Sequence, residues 1–483
     1  MSRWKTEDDE QERTVPFVVR VHPTGGVSQI DGSSSHGKPV LDGSAMLNRL
    51  DLRGHGTDVA HMLPRPEIVA EGPVATVREI LERVKTEGDS VLLELTETFD
   101  GVKLDAVRVP DADLDAAVEA LDPALREAMD VSIANVEAFH QHQRRAPELI
   151  ESRGMRIRAY QRPVDRAGMY VPGGRAEYPS TVIMTVVPAR VAGVEDVIVC
   201  VPPSAEFGGV APSVLAAARL SGASEVYAVG GAQAIGAMAY GTDSIAPVDV
   251  IAGPGNVYVA IAKQQVSGDV GVAAAFAGPS EVVVAADHTA DPAFAAIDVM
   301  VQAEHGPDGL AWLVTWDEAV ADAVCDAGDK LLAEAPRAED IRATLSAGGY
   351  VALVDGPEAA VAVIDAIAPE HLELQIENAE AVAATVRNAG AIFCGNFSPA
   401  SVGDYVAGPS HVLPTYGSAR FSSALTVGDF CKDHHVVTIE PEGIDELGPH
   451  VVALAHREGL AAHMTSVQLR LDRNAVDRAS DPA

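Results

Sequence analysis

The run Ala277-Gly278-Pro279-Ser280-Glu281-Val282-Val283-Val284, followed from Asp291 by a helix-like segment ending Gln302-Ala303-Glu304-His305-Gly306-Pro307, decides the fold. A turn leads into a β-branched apolar strand. The strand leads into helical periodicity over residues 291–305, which Gly306 and Pro307 stop. A short apolar run joined to a helix is half of a βαβ unit, the building block of a parallel sheet covered on both faces. Gln302 and His305, three residues apart, share one face of the last helical turn. A side-chain carbonyl and an imidazole on a rigid element beside a turn make half of a candidate metal site. The other half must come from elsewhere in the chain.

The same alternation extends in both directions. Downstream, residues 282–285, 311–315, 350–354 and 391–393 read as strands with helices between them. Upstream, Gly168-Met169-Tyr170-Val171-Pro172-Gly173-Gly174 is a strand running into a glycine turn. Strands at 197–201, 226–229 and 248–252 then alternate with helices at 210–220, 232–240 and 256–265. The glycine-rich turns after these strands fall at the carboxyl edge of their sheet, where such folds bind ligands. Residues 73–145 are mainly helical, with Val77, Ile80, Leu81 and Val84 on one face, and only 107–109 is strand-like. The tail from about 421 is mostly helical and looks like an add-on that docks elsewhere.

The expected fold class is therefore α/β: two Rossmann-like parallel-sheet domains, a helical N-terminal lead-in and a small helical C-terminal domain. The expected boundaries are an extension over 1–45, disordered for its Gly and Ser content, with Met46 a candidate natural start. A discontinuous first α/β domain covers 46–168 plus 281–420, a second covers 169–280, and the tail is 421–483.

At 483 residues, 47% of them apolar, the chain can bury more than one substantial core. Acidic residues outnumber basic ones 70 to 35, a net charge of −35 spread along the chain. Such a surface repels nucleic acid and anionic membranes, so neither is expected as a partner. The four cysteines, Cys200, Cys325, Cys394 and Cys431, form no Cys-x-x-Cys pair and read as reduced thiols. No apolar run is long enough to span a bilayer, and Glu7, Asp8, Asp9 and Glu10 precede any apolar stretch, unlike a secretory signal. A cytoplasmic location is expected.

Taken singly, the candidate chemical groups each have a plain reading. Gly253-Pro254-Gly255-Asn256 is a tight βα turn as readily as a phosphate cradle. Glu370-His371, in a Pro-led loop, could set a base beside a water activator, or be an ordinary polar loop. Asp404 in Gly403-Asp404-Tyr405 is a common turn residue. His463, in Glu458-Gly459-Leu460-Ala461-Ala462-His463, could be a surface histidine, and Ser280 could cap the segment that follows it.

Taken together they resemble the histidinol dehydrogenase family. The resemblance rests on the Gln302/His305 pair, the Pro369-Glu370-His371 loop, the Gly403-Asp404-Tyr405 loop and the Glu458-to-His463 segment, in that order. It rests also on Tyr170-Val171-Pro172-Gly173-Gly174-Arg175-Ala176-Glu177-Tyr178-Pro179-Ser180-Thr181, and runs from about residue 70 to about 470. It implies NAD-dependent oxidation of L-histidinol to L-histidine through the aldehyde, at the end of histidine biosynthesis. By the same resemblance Gln302, His305, Asp404 and His463 are Zn²⁺ ligands, and Glu370 and His371 are catalytic. Ser280, His371 and Glu458 contact substrate together with the four metal ligands. Tyr170, Gln233 and Asn256 contact NAD in the 169–280 domain. The implied assembly is a homodimer whose C-terminal domains exchange, so that Glu458 and His463 reach the other subunit's site. Two departures are visible: the family's usual Ile-Asp pair before the Ala-Gly-Pro-Ser-Glu turn is Ala273-Ala274 here, and the N-terminal extension is longer than the family needs. The alternatives are a paralogue oxidising another small polar alcohol such as a sulfonated diol, a zinc-storing binding protein, and a metal-dependent hydrolase.

Overall fold

A computed structural model describes residues 46–64, 71–174, 176–273, 280–304 and 309–480. The expectation of disorder over 1–45, and the position of His305, lie outside the described residues. Strand β1 (Asn48–Asp51) is followed by four helices, α1 (Glu71–Glu87), α2 (Asp89–Asp100), α3 (Asp111–Glu119) and α4 (Pro123–Gln141). An antiparallel pair, β2 (Glu148–Ser152) and β3 (Met155–Pro163), comes next.

A five-stranded parallel sheet then forms from β4 (Arg166–Tyr170), β5 (Asp196–Val201), β6 (Glu225–Ala228), β7 (Val250–Ala252) and β8 (Gly271–Val272). Helices α5 (Pro179–Ala192), α6 (Pro212–Ser221), α7 (Gly231–Tyr240) and α8 (Val257–Val266) connect them. The spatial order is β6-β5-β4-β7-β8. Val197, Ile198, Val199 and Cys200 are fully buried, as both-face coverage of a parallel strand requires.

A six-stranded sheet follows, built from β9 (Glu281–Ala286), β10 (Leu310–Thr315), β11 (Gly349–Leu353), β12 (His371–Gln375) and β13 (Ala391–Cys394), with β1 at its edge. Its connecting helices are α9 (Pro292–Val301), α10 (Glu318–Glu334), α11 (Ala338–Gly348), α12 (Pro357–Ile367) and α13 (Ala379–Ala383), and α14 (Ala400–Tyr405) comes after β13. The order β1-β11-β10-β9-β12-β13 repeats the winding of the first sheet, with all pairs parallel. In each sheet the chain steps outward on one side and then crosses back, which creates a crevice between β4 and β7, and another between β9 and β12. The tail is β14 (Cys431–Ile439), α15 (Pro441–Arg457) and α16 (Ala461–Ser480).

Three expectations about organisation shift. The lead-in was grouped with 281–420, but only β1 joins that sheet; α1 packs on α7 and α8, α3 on α6, and α4 on α5. The apolar face of Val77, Ile80, Leu81 and Val84 is buried with Ile235 and Val259 of the five-stranded sheet's layer. The boundary at 168/169 cuts through β4, which is the central strand of that sheet. The tail is not mostly helical from its start: β14 pairs antiparallel with β3 along its whole length, from Cys431 opposite Pro163 to Ile439 opposite Met155.

Candidate active site

The sequence places three residues at the carboxyl edge of the five-stranded sheet, and all three arrive there. Tyr170 ends β4, Gln233 sits in the first turn of α7, and Asn256 caps α8 by accepting from Tyr258 N at 3.0 Å and Val259 N at 3.2 Å. Tyr170 is buried, its hydroxyl accepts from Gly231 N at 3.1 Å, and burial pushes its pKa up to about 12. Gly253 has φ +110°, and a Cβ there would lie 2.0 Å from Tyr170 O. Only glycine lets this turn press against β4. A bare turn leading into a helix N-terminus is a geometry that can take a phosphate group. Lys263 is wholly buried behind it and donates to Gly253 O; burial pushes its ammonium down to about 7.

The reactive groups gather at the opposite, amino edge of the six-stranded sheet. His371 opens β12, Glu370 precedes it, and Glu281 opens β9 alongside. Helix α9 is started by Asp291, whose carboxylate accepts from Ala293 N and Phe294 N, with Pro292 at the first helical position. It runs back to the amino edge and closes in a 3₁₀ turn, Gln302–Glu304, so Gln302 stands on a tightened turn rather than on continuous α-helix. Gln302 Nε2 is 3.4 Å from His371 Nδ1. Asp404 Oδ1, at the end of α14, is 3.2 Å from His371 Nε2. The imidazole lies over Phe393 with ring centroids 6.3 Å apart and planes at 22°.

The electrostatics follow from burial and crowding. Burial drives Glu370 up to about 7, a shift His371 partly offsets, and the carboxylate accepts from Glu281 N at 3.0 Å. Burial alone would depress His371, but Glu370 and Asp404 outweigh it and hold the imidazole at about 9. Glu281 rises to about 8 from burial and the neighbouring Glu370, while accepting from Tyr416 N at 3.1 Å. A buried neutral acid thus stands behind an acid poised near neutrality.

Two groups that sequence reasoning did not single out belong here. Glu281 was read only as part of a turn. His411 Nδ1 lies 2.8 Å from Asp404 O and its Nε2 lies 3.2 Å from Thr181 Oγ1 of α5, so it joins the reactive cluster to the first sheet's helical layer. His371, Asp404 and His411 line one cavity of about 260 Å³. The Gly408-Pro409-Ser410-His411 turn was the only available signal for His411.

Ser280 directly precedes Glu281, half-buried, its carbonyl accepting from Leu310 N at 3.0 Å. Glu458 and His463 are exposed on the α15–α16 hairpin, and the single chain does not bring them to His371. Among the described residues no group of three His, Cys, Asp or Glu is arranged to hold a metal. A cation fits the donors present all the same: Gln302 Oε1 is buried with no hydrogen-bond partner among the described residues, on a side chain whose Nε2 lies against His371, which in turn meets Asp404. A buried carbonyl oxygen left unmatched can take a hydrogen-bond donor or a cation.

A family model for histidinol dehydrogenase matches residues 63–471. The chain belongs to the histidinol dehydrogenase family. The histidinol dehydrogenase of Streptomyces avermitilis is 44% identical over 433 residues, covering 88% of this chain and 98% of that protein. That of Parasynechococcus marenigrum is 47% identical over 395 residues, covering 81% and 90%. A crystal structure of histidinol dehydrogenase from Elizabethkingia anophelis superimposes with TM-score 0.85 at 36% identity, covering 89% of this chain and 99% of that one. This member of the histidinol dehydrogenase family keeps Ala273 buried, its N–H donating to Ile251 O at 3.0 Å beside β8. Ala274 lies outside the described residues.

Proposed function

We propose that this chain is an NAD-dependent oxidoreductase that converts L-histidinol to L-histidine through the aldehyde, completing histidine biosynthesis with two NAD reduced in succession. One observation carries the reading: in a chain of this family, Gln302, Glu370, His371 and Asp404 converge at one buried edge. Gln302, His305 and Asp404, with His463, are the residues to hold Zn²⁺, which when bound anchors and polarises the substrate's imidazole and amino nitrogens. Tyr170, Gln233 and Asn256 hold NAD, the hydride acceptor in both steps. Ser280 and Glu458 complete the grip on the substrate.

His371 takes the proton from the substrate hydroxyl as its carbon gives up hydride. A cation held by Asp404 would draw on the same carboxylate that accepts from the imidazole, and so would weaken its hold on the His371 proton and bring His371 toward the useful range of a base. Glu370, poised near neutrality, takes a proton from the water that adds to the aldehyde. The hydrate supplies the tetrahedral carbon from which the second hydride leaves, and His371, having passed the first proton to solvent, receives the second hydroxyl proton.

Glu458 and His463 reach the site if two chains exchange their C-terminal units. The exposed Leu454, Leu469 and Val476 on that hairpin favour a homodimer in which the partner subunit's Glu458 and His463 complete each site. No helix among the described residues is long and apolar enough to cross a membrane, which accords with a cytoplasmic enzyme. NADH absorbance during complete histidinol consumption tests the reading: about two NADH per histidinol is expected from two successive hydride transfers. A ratio near one, or faster turnover of a diol lacking imidazole, overturns it.

A further inference from the structure

Strand β12 is polar along one buried face. His371, Glu373 and Gln375 alternate with Leu372 and Leu374, so the three polar side chains point the same way. All three are buried, a costly arrangement on a central strand unless each group is matched.

The matches come in two tiers. In the upper tier His371 meets Gln302, just past α9, and Asp404, at the end of α14. The lower tier, one pleat repeat along β12, copies that plan. Glu373 Oε1 accepts from Ala400 N, at the start of α14, at 2.8 Å. Gln375 Nε2 donates to Asp298 Oδ2 of α9 at 2.7 Å and to Glu373 Oε2 at 3.2 Å. Asp298 precedes Gln302, and Ala400 precedes Asp404, by four residues each, one helical turn. The same strand face therefore grips the same two helices twice, one turn apart.

Burial raises both carboxyls, and the adjacent Asp298 raises Glu373 further, which favours the protonated form of Glu373 beside Asp298. Asp298, Glu373 and Gln375 do not line the cavity that His371 and Asp404 share. A helix held at one tier can pivot about that contact, and a second tier a turn away removes the freedom.

We propose that Asp298, Glu373 and Gln375 form a positioning clamp that fixes the rotation and register of α9 and α14 on β12, and so aims Gln302 and Asp404 at a common ligand beside His371. The proposal deepens the metal reading above and rests on it. The test compares Glu373→Gln, Glu373→Ala and Asp298→Ala in the full-length protein. Zinc affinity is measured by competition with a chromogenic chelator, with melting temperature and NADH turnover alongside. Glu373→Gln keeps a carbonyl to accept from Ala400 N and an N–H to donate to Asp298, so zinc affinity within about threefold of wild type is expected. Each alanine variant is expected to weaken zinc about 10–100-fold, as loss of groups that orient ligands does. A merely structural role would lower the melting temperature and leave zinc affinity of the folded protein unchanged; that result overturns the clamp, as does a tenfold loss in Glu373→Gln. Should Glu373→Ala fail to fold, Asp298→Ala and Glu373→Gln decide it. Wild-type protein without zinc affinity would refute the metal reading instead. The clamp would then be judged on kcat/KM, with the same contrast between Gln and Ala expected and its absence fatal.

Discussion

Gly403 offers a quantitative test of how closely the site is built. It sits in α14 directly against the ring of Phe393, where a Cβ would lie 2.4 Å from Cζ and 2.6 Å from Cε1. Carbon atoms in contact settle near 3.5 Å, so Gly403→Ala must lift the helix or tilt the ring by about 1 Å. The next residue is Asp404, whose Oδ1 is 3.2 Å from His371 Nε2. Withdrawal by about 1 Å takes that contact out of hydrogen-bond range. A hydrogen bond to a charged group contributes about 1.5–3 kcal/mol, roughly 10–100-fold in rate, and a misplacement of about 1 Å in an active site has a similar effect. Gly403→Ala should therefore lower kcat/KM for histidinol roughly 10–100-fold, while the melting temperature falls by only a few degrees. The cause can be isolated. Phe393→Leu removes the ring atoms that block the new methyl, so in that background Gly403→Ala should cost much less, and the double-mutant cycle should show coupling. Steady-state NADH kinetics on the four proteins decide it. A Gly403→Ala enzyme within about threefold of wild type, or an equal loss in both backgrounds, would refute the close-packing argument.

Two further outcomes are expected. Lys263, held at about 7 by burial against an ordinary 10.5, has released a proton that the unfolded chain still binds between those values, so it makes stability rise with pH across that window. Melting curves of wild type and Lys263→Met at pH 7 and pH 9 should diverge in favour of wild type at the higher pH, and parallel shifts would dismiss the buried charge effect. Domain exchange predicts complementation: a His371→Ala chain and a His463→Ala chain, each inactive alone, should regain roughly one quarter of wild-type activity after mixed refolding, because only one site of each heterodimer is intact. No recovery would mean that both residues serve a site from the same chain.

The alternating architecture was legible because parallel strands buried on both faces read as short β-branched runs. Val282-Val283-Val284 and the segment at 197–201 declare themselves without reference to their neighbours. The layer on which an amphipathic helix lands is a different matter. The stripe of Val77, Ile80, Leu81 and Val84 fixes which face is buried, but nothing local says that α7 and α8 receive it. Strand β14 was hidden for a related reason. Its Cys431-Lys432-Asp433-His434-His435 start has no period-two apolar pattern, and Lys432 to His435 lie exposed, so its strand character comes from pairing with β3, far away in sequence. Of the site, Gln302, Glu370, His371 and Asp404 were readable as motif residues. Their meeting at the amino edge of the six-stranded sheet was not, since the usual expectation for such sheets is the carboxyl edge. Glu281 and His411 were hidden in turns whose chemistry depends on what packs over them.

The polar face of β12 also sets a direction in which this enzyme should not be engineered. Exchanging Asp298, Glu373 and Gln375 together for close-fitting aliphatic side chains would delete groups that desolvation penalises. Interior replacements of that kind are often neutral or stabilising by about 1–4 kcal/mol. A screen for heat resistance alone would therefore reward a greasy, inert strand, and only concurrent selection for turnover would keep the hydrophilic one.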